Sequence, residues 1–237
     1  MTSLAESFRD GLRRVLGAKL VGAYIYGAAA FPDDAPTGDV DFHVIVEDEL
    51  TAGERTALDE LHKALARQFP PLGAGMDGYY ILLDDARRTS PPQSQMWRRA
   101  TDNAWALHRE HIRAGRHIVL HGPDPKTIYP PATWDEIEAA LWGEMAFVES
   151  HLEAHPDYCI LNLCRLIYSF ATGDVVVSKA AAAEWAWTHL PAWRRHVELA
   201  RKSYAGEATE EEMAFMVSEV GGFFEFARER IEQGHGC

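Results

Sequence analysis

Hydrophobic residues recur along the chain at two spacings, and the change from one to the other divides it. Leu4, Phe8, Leu12, Val15 and Leu16 fall on one side of a first helix. A strand is expected from Leu20 to Tyr26 and another from Asp39 to Val46. In the second, Val40, Phe42, Val44 and Val46 share one face while Asp39 and Asp41 share the other. Thr51 and Glu54 make a capping box for a helix carrying Leu58, Leu61, Leu65 and Phe69, which Pro70 and Pro71 end. Gly73 to Gly75 turn the chain into a third strand, Met76 to Leu83. Pro91-Pro92 precede a long helix through Trp97, Trp105 and Ile112, and a short apolar stretch, Ile118 to Leu120, closes at Gly122-Pro123.

Beyond that junction only helical spacing remains. Thr133 and Glu136 cap a helix through Ile137, Leu141, Met145, Val148 and Leu152, and another runs from about Tyr158 to Ala171, stopped by Thr172-Gly173. Ser178 caps one through Trp185 and Leu190, Pro191 opens the next, and Thr209 with Glu212 start a last one through Met216, Val220, Phe223 and Phe226. The expected fold is an α+β N-terminal domain over 1–122, a mixed sheet with flanking helices, plus an all-α helical bundle over 123–237. No internal repeat or low-complexity tract interrupts it.

Composition narrows the function. A chain of 237 residues, 47% apolar and 25% charged, is an ordinary soluble globular protein. Its formal charge of −13 argues against nucleic acid as a partner and favours a polycationic small molecule, although solubility alone also explains acidity. Cys159, Cys164 and Cys237 show no paired ligand spacing, which suits reduced thiols in a cytoplasm. Met1 to Leu16 is amphipathic rather than signal-like, and no apolar run reaches membrane-spanning length, so no membrane partner is expected.

The chemistry concentrates where Tyr24-Ile25-Tyr26 ends in Gly27-Ala28 and the next strand opens with Asp39-Val40-Asp41. Two carboxylates projecting together repel unless a cation sits between them, and an oxygen-only pair with room for phosphate oxygens suits Mg²⁺. Gly27 lets the backbone approach a phosphate closely. The plainer reading is two aspartates on the solvent side of an edge strand. Asp77, first polar residue of the third strand, is the candidate for a third acid if that strand lies beside the second; otherwise it is a turn residue next to glycines. Asp84 and Asp85 are loop starters. His108 and His111 share a helix face without a third ligand, which points to a solvated helix surface. Trp97, Trp105, Trp142 and Trp193 are packing residues, with Trp185 or Trp187 available to stack on a sugar, and Arg98-Arg99 and Arg194-Arg195 are solvated charge runs.

The strand-end glycine, the loop and the Asp-x-Asp that follows resemble the nucleotidyltransferase superfamily. The helical half carries Asn162-Leu163-Cys164-Arg165, Ala171-Thr172-Gly173, Ser178-Lys179, Ala183-Glu184-Trp185-Ala186, Leu190-Pro191 and Ala200-Arg201-Lys202-Ser203-Tyr204. That series is similar to the aminoglycoside adenylyltransferases that modify streptomycin and spectinomycin. The resemblance covers nearly the whole chain. It implies a nucleotidyltransferase domain joined to a helical bundle, with ATP as co-substrate and an aminoglycoside bound between them, and we expect a monomer. It further implies that Asp39 and Asp41 hold Mg²⁺ bridging the ATP phosphates, and that Gly27 and Ala28 cradle phosphate through backbone N–H groups. Arg165 and Lys179 contact the triphosphate by the same likeness; read locally, they are a solvated helix face and a helix-start lysine. Asp77 stands where the family has a glutamate acting as base toward the drug hydroxyl, and Ala28 where it has a phosphate-binding serine. The family's drug-gripping tryptophan and aspartate have no clear counterpart among Glu149, Glu153 and Asp157. Two other functions stay open on the sequence: nucleotidyl transfer to another metabolite or a protein, and a catalytically weak nucleotide-binding regulator.

Overall fold

A computed structural model describes residues 2–32, 39–97 and 104–234. It opens with helix α1 (Thr2–Leu16) and strands β1 (Leu20–Tyr26) and β2 (Val40–Val46), followed by α2 (Ala52–Gln68) and β3 (Met76–Leu82). A short α3 (Leu83–Ala86), α4 (Trp105–Arg113) and β4 (Ile118–His121) come next. The rest is helical: α5 (Trp134–Glu149), α6 (Pro156–Thr172), α7 (Lys179–His189), α8 (Arg194–Tyr204) and α9 (Glu210–Gly234).

The strands form one mixed sheet in the order β3-β2-β1-β4, with β1 antiparallel to both neighbours and β2 parallel to β3. Parallel neighbours need a crossover, and α2 supplies it. The capping box that opens α2 is in place: Thr51 Oγ1 accepts from the Glu54 N–H at 3.2 Å, and the Glu54 carboxylate accepts from the Thr51 N–H at 2.7 Å. Those bonds, with Lys19, hold the Glu54 pKa down at about 2.

Alternation along the strands gives the sheet two apolar faces. Ala23, Ile25, Val40, Phe42, Val44, Val46 and Tyr80 meet Leu4, Phe8 and Leu12 of α1 and Leu58, Leu61 and Leu65 of α2. The rings of Phe8 and Phe42 meet edge-on at 5.0 Å. Burying each Val, Leu, Ile or Phe side chain contributes about 1.5–3 kcal/mol, and the ring pair adds about 1 kcal/mol. On the opposite face Tyr24, Tyr26, Ile45, Tyr79 and Ile81 meet Trp105 and Ile112 of α4 together with Ile128 and Tyr129.

Packing divides the chain into two compact units, Met1–Ile137 and Glu138–Cys237. The segment after Gly122 stays with the first unit because its side chains and carbonyls are used there. Tyr129 fills the sheet's second face, and its carbonyl accepts from Arg113 Nη1 at 2.6 Å. Arg109, fully buried, donates to the Pro130 and Pro131 carbonyls and pairs with Glu136 at 3.0 Å. The packing boundary therefore falls beyond the Gly122-Pro123 junction read from the sequence. In the second unit α6 packs against α7, α8 and α9. Cys159, Ile160, Leu161, Leu163, Cys164, Leu166 and Ile167 are buried nearly all round α6, as a central helix requires.

Several expectations change. Among the described residues the helix expected after Pro92 is α4, and Trp97 is not part of a helix, since its φ of +57° is a conformation no right-handed helix continues through. Arg98 and Arg99 lie outside the described residues, as does Cys237. The stretch at 118–120 is a paired strand. His111 is buried and His108 half-buried against the sheet, so the pair is core rather than solvated surface. Arg194 and Arg195 are exposed as expected, and lie over the rings of Trp187 and Phe215 at 5.6 and 4.4 Å.

Candidate functional site

The sheet's strand directions gather the acids at one end. β2 and β3 both begin there, and their register pairs Asp41 with Asp77. Register partners on parallel strands lie about 4.8 Å apart and project from the same face. Asp77 is therefore a neighbour of Asp41, which the sequence left conditional on the strands being adjacent. Asp39 stands one residue before β2, exposed, where a strand had been expected to include it. Asp41 is half-buried and Asp77 exposed.

β1 arrives at the same end. Tyr26 pairs with Asp41, and the chain then turns through a 3₁₀ segment, Gly27–Ala30, whose first N–H groups have no intrahelical acceptor. Gly27 has φ +67°, and a Cβ built on it would collide with Asp41 Oδ2 and lie 2.9 Å from Asp41 Cγ. The carboxylate thus rests directly against the Gly27 backbone. Only glycine satisfies both the turn and that approach.

Beneath the acids lies an aromatic floor that sequence reasoning did not single out. His43, two residues along β2 from Asp41, is fully buried and surrounded by rings. Tyr26 is at 4.6 Å, Trp105 at 5.5 Å, His108 at 5.6 Å and Tyr129 at 5.8 Å, centroid to centroid. Its Nδ1 lies 3.1 Å from the Tyr129 hydroxyl, and its Nε2 has no partner among the described residues. Burial, reinforced by His108, pushes its pKa well below the usual histidine range, so it stays neutral. Its signal in the sequence was a lone polar residue inside an apolar strand, at the spacing that puts it on Asp41's face.

The acids at this end offer carboxylate oxygens, and Mg²⁺ characteristically takes one or two carboxylates together with substrate phosphate oxygens. Among the described residues, no three His, Cys, Asp or Glu side chains form a cage that would hold a metal unaided. The donor set fits a cation that arrives with a phosphate ligand.

Arg165 and Lys179 belong to the second unit, where the structure brings them to one cluster. Lys179 Nζ sits over the rings of Tyr158 at 4.8 Å and Tyr204 at 4.9 Å. Arg165 Nη1 donates to Asn162 Oδ1 at 3.4 Å, while its Nε is buried without a partner among the described residues. Neither cation has a carboxylate partner among those residues, a state suited to receiving an anion. Burial, then Glu144, raises the Tyr158 phenol to about 12, so it remains neutral. Trp185 stacks on His189 at 4.3 Å, and Trp187 lines a surface pocket of about 290 Å³ with Glu184, Glu198 and Arg201.

Residues 128–230 match the family model described as the aminoglycoside adenylyltransferase C-terminal domain. The chain is 24% identical over 248 residues to a spectinomycin 9-adenylyltransferase of Staphylococcus aureus, covering 93% of this chain and 91% of that protein. It is 25% identical over 244 residues to an aminoglycoside (3'') (9) adenylyltransferase of Escherichia coli, covering 93% and 90%. Its fold is shared with the crystal structure of an Enterococcus faecalis spectinomycin adenyltransferase with ATP and spectinomycin. That likeness has a TM-score of 0.80 and 18% identity over 98% of this chain and 99% of that one.

Proposed function

We propose that the chain, whose residues 128–230 match the aminoglycoside adenylyltransferase C-terminal domain and whose relatives over nearly its whole length are such enzymes, transfers AMP from ATP to a hydroxyl of an aminocyclitol or aminoglycoside such as spectinomycin. The acceptor oxygen bonds to the α-phosphorus, the bond to the β-phosphate oxygen breaks, and pyrophosphate leaves. The observation that supports this best is the register of Asp41 with Asp77, beside the Gly27 turn against which the Asp41 carboxylate rests.

Each residue then has a defined task. Asp39 and Asp41 would hold Mg²⁺, which supplies charge neutralisation and alignment of the triphosphate. Asp77, exposed at the start of β3, takes the proton from the acceptor hydroxyl. Gly27 and Ala28 offer backbone N–H groups to phosphate. Arg165 and Lys179 contact the triphosphate and offset the charge that develops on the leaving pyrophosphate. The buried, protonated thiols of Cys159 and Cys164 accord with work in a reducing cytoplasm beside the ATP pool.

The test is incubation of the protein with ATP, Mg²⁺ and a panel including spectinomycin and streptomycin. Pyrophosphate and a drug mass increased by one AMP are expected. ATP turnover with every drug unmodified moves the acceptor to another class, and no turnover at all removes the enzymatic reading.

A further inference from the structure

We infer that Arg116 is a triphosphate-binding residue supplied by the first unit, an inference that rests on the nucleotidyl-transfer reading above. β4 runs antiparallel to β1 with Ile118 opposite Ile25. The two residues before Ile118 therefore lie at the end of the sheet where β1 runs into Gly27, the end that also carries Asp41 and Asp77. Arg116 is one of them.

Its side chain is held toward the glycine turn. The guanidinium carbon sits 5.2 Å from the centroid of the Phe31 ring, and Phe31 closes the Gly27–Ala30 turn, its N–H donating to the Ala28 carbonyl at 3.3 Å. Phe31 is itself buried and braced edge-on by His111 at 5.5 Å. A guanidinium stacked on a fixed ring keeps its edge N–H groups free for a planar anion. Arg116 Nε is buried without an acceptor, and no carboxylate pairs with the side chain among the described residues. A buried donor left unsatisfied is unfavourable unless a ligand completes it. An arginine in this state, at the acid end of the sheet and beside the Gly27–Ala30 turn, fits a polyphosphate oxygen.

Calorimetric titration of the full chain with Mg·ATP, and separately with adenosine, tests the inference on wild type, Arg116→Gln and Arg116→Lys. Glutamine preserves much of the packing on Phe31 without the charge, so folding is not at stake. Removing a charge-assisted contact should weaken ATP binding by about 10-fold or more in Arg116→Gln, leave adenosine binding unchanged, and be partly restored in Arg116→Lys. Equal ATP affinity in Arg116→Gln overturns the inference, and so does a parallel loss for adenosine, which marks a merely structural role. The outcomes separate the two readings. AMP transfer by the wild type with ATP affinity insensitive to Arg116→Gln removes Arg116 and leaves the transfer reading standing, whereas a wild type that binds no ATP removes both.

Discussion

Replacing Gly27 with alanine tests the contact on which the acid end is built. The backbone there has φ +67°, and an alanine forced into that region costs about 1–2 kcal/mol. The new methyl would also collide with Asp41 Oδ2 and crowd Asp41 Cγ at 2.9 Å and Cβ at 3.2 Å. Ordinary carbon–oxygen contact requires the carboxylate to withdraw by about 1 Å or more. Asp41 can do so by turning its side chain toward solvent and giving up the contacts it now makes. A displacement of that size at a reacting centre lowers the rate by about 100-fold. Gly17 supplies the control, since its φ is +54° and a Cβ there meets nothing within 4 Å. Urea denaturation should show Gly27→Ala destabilised at least as much as Gly17→Ala. Pyrophosphate release with ATP, Mg²⁺ and the accepted drug should fall about 100-fold in kcat/KM for Gly27→Ala alone. Equal kcat/KM in the two variants would refute the idea that the Gly27 backbone positions Asp41.

Asp77→Asn should reduce kcat by about 10²–10⁴-fold while ATP affinity, measured by calorimetry, holds; an unchanged kcat would show that another group takes the proton. Ala28→Ser places a hydroxyl at the turn proposed to cradle phosphate, and a bond to a charged group is worth about 1.5–3 kcal/mol, so the Kd for Mg·ATP should drop by about 10-fold or more. Burial pushes the His62 pKa down to about 4, with its Nε2 at 2.9 Å from the Tyr80 hydroxyl. A depressed histidine stays neutral in the fold while the unfolded chain takes up the proton near its ordinary value, so stability is lost as pH falls below about 6.5 toward 4. Urea denaturation at pH 7.5 and 5.0 should show His62→Leu losing about 2 kcal/mol less than wild type over that interval, and parallel losses would contradict the shift.

Much of this was legible because local chemistry and tertiary packing agree. Thr51 with Glu54, Ser178 and Gly173 mark helix ends in sequence and are helix ends in the structure. The alternation of Val40, Phe42, Val44 and Val46 identified the face that α1 and α2 cover. Strand order was not legible, since nothing local to Asp77 says which strand lies beside it. Only the crossover through α2 puts β3 parallel to β2 and Asp77 opposite Asp41. The helix expected through Trp97 fails because apolar spacing does not reveal a positive φ. His108 and His111 looked like a wet surface because polar residue type dominated a spacing that equally suits burial under the sheet. Arg116 carried no motif at all; its place follows from the pairing of β4 with β1, a long-range fact.

The lysine seated between two phenol rings has an electrostatic consequence. Had a carboxylate held the Lys179 ammonium in place, that partner would cancel its field and compete with any incoming anion. Quadrupoles of Tyr158 and Tyr204 fix the position while leaving the full charge unspent. On a molecule whose formal charge is −13, an ammonium held this way lets the proposed triphosphate contact form without first breaking an ion pair.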